Sequence, residues 1–308
     1  MPLSYQWQQR IDRWKNAVSS LFGGSGENNQ PRPKLCPACG SLVGISATRC
    51  HQCGANLRFS LAAANKGLSA IFGEEAPVTR ALLIANIAMF GVGYMASLAM
   101  GQSGFSFTFS GNGEALYKLG ASWMPAILYL HEWYRLVTAS FLHFGLLHLG
   151  MNMMVLLDIG PQVEQEFGSS RYLFFYTITG ISGFGLSAVR GHFAAGASCA
   201  LMGMIGLLLA MNSRRAGALA QAQKSRLISW ITMTFMIGFF PGVRIDNWGH
   251  FGGLAAGYLL GRIVSDREPV TPREKQVAMV LGWLAGAIIV TSFVFMFIHY
   301  RDPIPGAG

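Results

Sequence analysis

Charge is what this sequence most lacks. Only 12% of its 308 residues are Asp, Glu, Lys or Arg, and just 14 are acidic. A soluble domain carries about 25% charged side chains. Half that share, with 52% hydrophobic residues and a mean hydropathy of +0.37, excludes an ordinary water-soluble domain and indicates a polytopic membrane protein. The first residues also lack the apolar core of a cleaved signal peptide. Long apolar runs are abundant, so the polar side chains inside them stand out.

A spanning helix takes about 20 mainly apolar residues. Seven runs are read as spans: Ala81–Met100, Phe141–Ile159, Tyr172–Val189, Gly196–Asn212, the short Leu227–Phe240, Trp248–Val264 and Val277–Ile298. Lys and Arg are retained on the cytoplasmic side of membranes. With the N-terminus cytoplasmic, only Lys118, Arg135, Arg190, Arg244 and Arg301 of the 23 basic residues fall on the far side. The formal charge of +9 therefore reads as topology and attraction to anionic lipid, with nucleic acid a poor second.

In this topology four polar side chains converge at one depth. Ser198 and His250 lie near the extracytoplasmic starts of the fourth and sixth spans, and His148 and Asn152 lie one turn apart in the second. Polar groups in hydrocarbon need partners or a hydrated cavity. Ser, His and Asn also serve as interhelical hydrogen-bond glue, but four at one level favour chemistry. A serine hydroxyl becomes a nucleophile when a base takes its proton, and histidine is suited to that task. No Asp or Glu lies in the run beside His250: Asp158 is at the wrong depth and Asp246 precedes the span, so the pair reads as a dyad. His148, Asn152 and the Ser198 backbone N–H then suit an oxyanion site. Gly203, Gly206, Gly249, Gly253 and Gly257 are read as small residues that let the fourth and sixth helices pack closely.

From about Arg80 to Val264 the chain resembles the rhomboid intramembrane serine proteases. The resemblance rests on Tyr134-Arg135 in a long first loop, His148-x-x-x-Asn152, Gly160 through Glu164, Gly196-x-Ser198, and Gly249-His250-x-x-Gly253. It implies an all-α polytopic fold with a six-helix core, here followed by a C-terminal transmembrane helix. It also implies cleavage of transmembrane segments by Ser198 and His250, with His148 and Asn152 lining the oxyanion site. The loop from Gly101 to about Ser140 would be a partly helical, membrane-dipping element, with Arg135 and Glu164 structural. Two positions depart from the family pattern: Cys199 where Gly commonly follows the serine, and Met202 where an aromatic usually faces the catalytic imidazole. Cys199 is read first as a small buried hydrophobe, with crowding of the oxyanion donors as the alternative, and the Met202 thioether can still pack on a ring. The same departures would suit a catalytically inactive rhomboid-like adaptor that binds transmembrane helices. A transporter is a weaker rival, because no matched pair of broken helices is present.

The other cysteines form two C-x-x-C knuckles, Cys36/Cys39 and Cys50/Cys53, each followed by Gly (Gly40 and Gly54). Such knuckles place four thiolates around one Zn²⁺, and four cysteine ligands leave no open position, so the zinc would be structural. His51 is a lesser candidate ligand. Disulfides fit poorly in a reducing cytoplasm, and no βαβ pattern supports a redox role. The ribbon could bind a cytosolic protein or nucleic acid, or only cap a terminus. Before it, Trp7, Ile11, Trp14, Val18 and Leu21 make an apolar stripe suited to an interfacial helix, a packing face or a self-association seam.

The expected organisation is residues 1–30 amphipathic helix and linker, 31–60 zinc ribbon, 61–79 linker, 80–265 six-helix core and 266–308 seventh helix and tail. The expected location is a plasma (inner) membrane with the site toward the extracytoplasmic face. The expected partners are the bilayer and transmembrane protein substrates. His143 is expected to bond the first loop, His192 to touch substrate, and both, with His131 and His299, to be interface residues.

Overall fold

A computed structural model describes residues 34–36, 39–44, 47–54, 56–57, 76–238, 245–265 and 267–302. The stripe from Trp7 to Leu21, residues 61–75 of the linker, Phe239 and Phe240 of the fifth run, and the tail from 303 lie outside the described residues. Two compact units result: Met1–Pro77 with Val270–Met279, and Val78–Pro269 with Val280–Gly308.

The first unit holds a two-stranded antiparallel sheet, β1 (Lys34–Leu35) and β2 (Leu42–Val43), with Lys34 opposite Val43. Gly40 and Gly54 take left-handed φ values of 76° and 72°, which lets each knuckle fold back on its first cysteine. Gly40 N–H donates to Cys36 O at 2.8 Å, and Gly54 N–H to Cys50 O at 2.9 Å.

The second unit is helical, and all seven apolar runs are helices. They are α1 (Pro77–Ala99), α6 (Leu146–Phe167), α7 (Ser169–Val189), α8 (Ser198–Asn212), α9 (Ala218–Ile237), α10 (Asn247–Ile263) and α11 (Pro272–His299). Between α1 and α6 run four short helices: α2 (Gly104–Ser110), α3 (Gly113–Lys118), α4 (Met124–Tyr129) and α5 (Arg135–Thr138). By length and composition α1, α7 and α11 can each cross a bilayer, and the pair Arg135–Phe141 plus Leu146–Phe167, bent by 93°, makes a fourth candidate. Large apolar side chains such as Leu147, Leu259, Ile263, Val290 and Phe297 face outward, which in a multi-pass membrane protein is the surface presented to lipid.

Several boundaries differ from the sequence reading: α6 runs on to Phe167, eight residues past Ile159, and α11 starts at Pro272, five before Val277. The second span begins at Leu146 rather than Phe141, because Gly145 at φ 99° breaks the chain; a Cβ there would lie 2.9 Å from Phe109 backbone atoms. The fifth helix starts at Ala218, nine residues before Leu227, on polar residues that add length without hydropathy.

The core centres on α8, in which every residue except Ser198 and Leu209 is buried. Glycine lets α10 lie against it: a Cβ on Gly253 would be 2.0 Å from Cys199 O, and one on Gly257 would be 1.8 Å from Gly203 O. No larger residue fits either position without moving a helix. At the opposite end from Ser198, Glu164 of α6 gathers four donors: Val78 N–H at 2.8 Å, Thr79 N–H and Thr79 Oγ1 at 2.9 Å, and Ser169 Oγ at 2.6 Å. In the first loop, Arg135 donates to Tyr117 O at 2.6 Å and Ala121 O at 3.1 Å, and pairs with Glu132. A charged group buried this deeply persists because its donors or acceptors are satisfied.

Candidate active site

Ser198 is the first residue of α8, so its backbone N–H is one of the four that an α-helix leaves without an internal acceptor. His250 lies in the first turn of α10 and is buried. Close α8–α10 packing brings the two together: His250 Nε2 is 2.7 Å from Ser198 Oγ. His250 Nδ1 is buried and has no hydrogen-bond partner among the described residues.

Asp246 is the N-cap of α10 rather than a third member of that pair. Its Oδ1 accepts the Gly249 N–H at 3.0 Å and lies 3.1 Å from His192 Nδ1, while its carbonyl accepts the His250 N–H at 3.0 Å. Asp158 is taken up elsewhere, by Arg226 at 3.0 Å and the Trp230 indole at 3.1 Å.

His148 borders the same space. Phe144 N–H donates to His148 Nδ1 at 3.3 Å, which assigns the ring proton to Nε2. A Cβ on Gly196 would lie 2.9 Å from His148 Nε2 and 3.5 Å from Ser198 Oγ. The absent side chain therefore opens a small gap between hydroxyl and imidazole, into which Nε2–H can point. Asn152 is buried beside it and donates from Nδ2 to His148 O at 2.9 Å, so one amide proton is committed to its own helix.

One sequence expectation is corrected. His143 is neither exposed nor bonded to the first loop: it is 1% exposed, and its Nε2 accepts from Ala197 N–H at 3.5 Å, directly before the serine. The break in the chain before α6 turns it inward, and the spacing of five to His148 gave no helical-face signal for this. The Cys199 thiol turns away into a gap between helices: a Cβ on Gly183 would meet its Cβ at 2.7 Å, and one on Gly249 would meet its Sγ at 2.8 Å. Successive helix residues point about 100° apart, so Cys199 is a small buried side chain for which two glycines on α7 and α10 leave room. Met202 is buried in the core one turn after Ser198.

In the small unit, Sγ atoms of Cys36, Cys39, Cys50 and Cys53 all lie within 4.8 Å of one another. The Cys36–Cys53 and Cys39–Cys50 separations are both 3.7 Å. A tetrahedron with metal–sulfur bonds of about 2.3 Å has edges of about 3.8 Å, so these thiols fit one tetrahedral ion. Hydrogen bonds with the Ser41 hydroxyl, and then its backbone, lower the Cys39 thiol to about 6, which favours the thiolate that a metal requires.

Comparison with known proteins follows this geometry. Residues 130–267, which include Ser198, His250, His148 and Asn152, match the Rhomboid domain model. The chain is 32% identical over 201 residues to RHOMBOID-like protein 1 of Arabidopsis thaliana, covering 59% of this chain and 51% of that protein. It is 35% identical over 150 residues to Rhomboid protease GluP of Bacillus subtilis (strain 168), covering 48% and 29%. It is 33% identical over 152 residues to Rhomboid-type serine protease 2 of Emericella nidulans, covering 47% and 29%. The chain thus spans about half the length of the plant relative and under a third of the other two. Residues 130–267, within the helical part of this chain, are thus similar to a Rhomboid domain.

Proposed function

We propose that the chain is an intramembrane serine endopeptidase that cleaves transmembrane segments of other membrane proteins. The observation that carries this reading is the 2.7 Å contact between Ser198 Oγ and His250 Nε2 at the start of α8. That helix has 15 residues, or about 22 Å of length, against a hydrocarbon core of about 30 Å. With its Arg214-Arg215 end at the cytoplasmic interface, Ser198 lies roughly 8 Å below the extracytoplasmic surface.

In this mechanism Ser198 Oγ attacks the scissile carbonyl carbon as its proton passes to His250 Nε2. The carbonyl oxygen becomes an oxyanion facing the Ser198 N–H and the His148 Nε2–H, with the second amide proton of Asn152 as a further donor. Collapse breaks the C–N bond, and His250 gives its proton to the departing amine. Water then attacks the acyl ester, again losing a proton to His250, which returns it to Ser198 Oγ. A transmembrane helix must unwind to present its carbonyl, so small or helix-destabilising residues near the extracytoplasmic leaflet mark the favoured substrates.

The four-cysteine unit is proposed to hold one structural Zn²⁺, which would fold a module too small to stand on its own core. Its side of the membrane, by the charge distribution, is the cytoplasm, where a protein partner is accessible.

The test is reconstitution of the full chain in liposomes with fluorescent transmembrane peptides containing Gly, Ala or Pro near one end. Cleavage by the wild type and none by Ser198→Ala supports the protease. Saturable peptide binding without cleavage, equal in both proteins, would instead establish the adaptor reading.

A further inference from the structure

Among the described residues the His250 imidazole is held by a hydrogen bond at one nitrogen: Nε2 meets Ser198 Oγ, whereas the buried Nδ1 finds no partner there. Where a carboxylate bonds Nδ1, it sets the plane of the ring. Here orientation falls to packing, and neither helix that carries the dyad sets an aromatic ring against the imidazole among the described residues. α8 contains no aromatic residue, and Met202, one turn after Ser198, has an unbranched and adaptable side chain. On α10 the nearest aromatics, Trp248 and Phe251, are 41% and 52% exposed.

The ring that meets the imidazole comes from α9. Phe235 lies with its centroid 6.3 Å from that of His250 and its plane at 83° to it, the edge-to-face arrangement that aromatic pairs favour. Along its length α9 fully buries only Ala220 and Leu227, while its Trp230, Ile231 and Phe235 are half-buried against the core. Its opposite half is tethered to α6, through Arg226 to Asp158 and Gln162, and through the Trp230 indole to Asp158.

We propose that Phe235 is a positioning residue for the base, setting the plane of the His250 imidazole from a helix that carries neither member of the dyad. The consequence is that alignment of the base depends on where α9 lies. A shift of that helix by a bound segment would be felt at His250 before any contact with Ser198. This inference rests on the dyad reading above.

Its test compares Phe235→Leu, which keeps apolar bulk without a ring, with Phe235→Tyr, which keeps the ring. Full-length proteins in lipid are assayed for peptide cleavage and for labelling by a fluorophosphonate. Base catalysis contributes about 10²–10⁴-fold, so a base of uncertain orientation is expected to lower kcat by about tenfold or more in the leucine variant. KM should stay within about twofold, and the tyrosine variant within about threefold of wild-type kcat. Equal kcat in the two variants, whether high or low, overturns the proposal. Absence of labelling in the wild type, with folded protein, instead refutes the dyad reading itself.

Discussion

Gly196→Ala places one methyl group in the gap on which the proposed oxyanion geometry depends. Its Cβ would stand 2.8 Å from His148 Cε1, 2.9 Å from His148 Nε2 and 3.5 Å from Ser198 Oγ. The first two are closer than carbon contacts allow, so the imidazole must swing out of place. The backbone adds to this, because Gly196 has φ 137°, and a non-glycine residue there costs about 1–3 kcal/mol. Losing one oxyanion donor lowers kcat by about 10²–10³, or about 2.7–4 kcal/mol of transition-state stabilisation. The variant should therefore remain folded, with an apparent Tm lowered by a few degrees, and lose at least about a hundredfold in kcat. Steady-state cleavage in liposomes together with size-exclusion and thermal profiles in detergent measures both. Wild-type kcat in Gly196→Ala would refute the placement of His148 Nε2–H in the reaction space.

Other positions give distinct outcomes. Gly257→Val should separate α8 from α10, since even a Cβ would lie 1.8 Å from Gly203 O; loss of both fluorophosphonate labelling and thermal stability is expected, and retention of either contradicts the packing account. Glu164→Ala leaves donors of Val78, Thr79 and Ser169 without their carboxylate, at a cost of about 3 kcal/mol or more; a clear fall in apparent Tm should appear, with residual kcat per folded molecule close to wild type. Cys199→Gly should not raise activity, because the thiol already lies between α7 and α10 beside Gly183 and Gly249; a several-fold gain would show that crowding operates after all. Metal analysis should find about one zinc per chain, lost in Cys36→Ser with Cys53→Ser, while serine labelling persists.

Much of this architecture was legible because its signals are periodic or local. Apolar runs marked all seven helices, and the spacing of Gly249, Gly253 and Gly257 marked the face on which α8 and α10 meet. Ser198, His250 and His148 could be placed together because a helix converts sequence distance into depth. The two knuckles were likewise readable from cysteine spacing and the glycines after them. What escaped depended on chain breaks or on contacts between helices distant in sequence. Gly145 ends the expected span early and turns His143 inward. That Cys199 is small and buried was readable, but its neighbours Gly183 and Gly249 on α7 and α10 were not. Phe235 carried no motif, and only the placement of α9 brings it to His250. The polar start of α9 fell below the apolar signal, although it is helical.

Activation of the Ser198 hydroxyl by His250 is read most directly from covalent labelling of the serine. Full-length protein in lipid should be treated with a fluorophosphonate, and the adduct mapped by peptide mass spectrometry. The account expects a single phosphonyl group on Ser198, formed at least about a hundredfold more slowly in His250→Ala. Labelling of Ser198 at an unchanged rate without His250, or no adduct on folded wild-type protein, would contradict it.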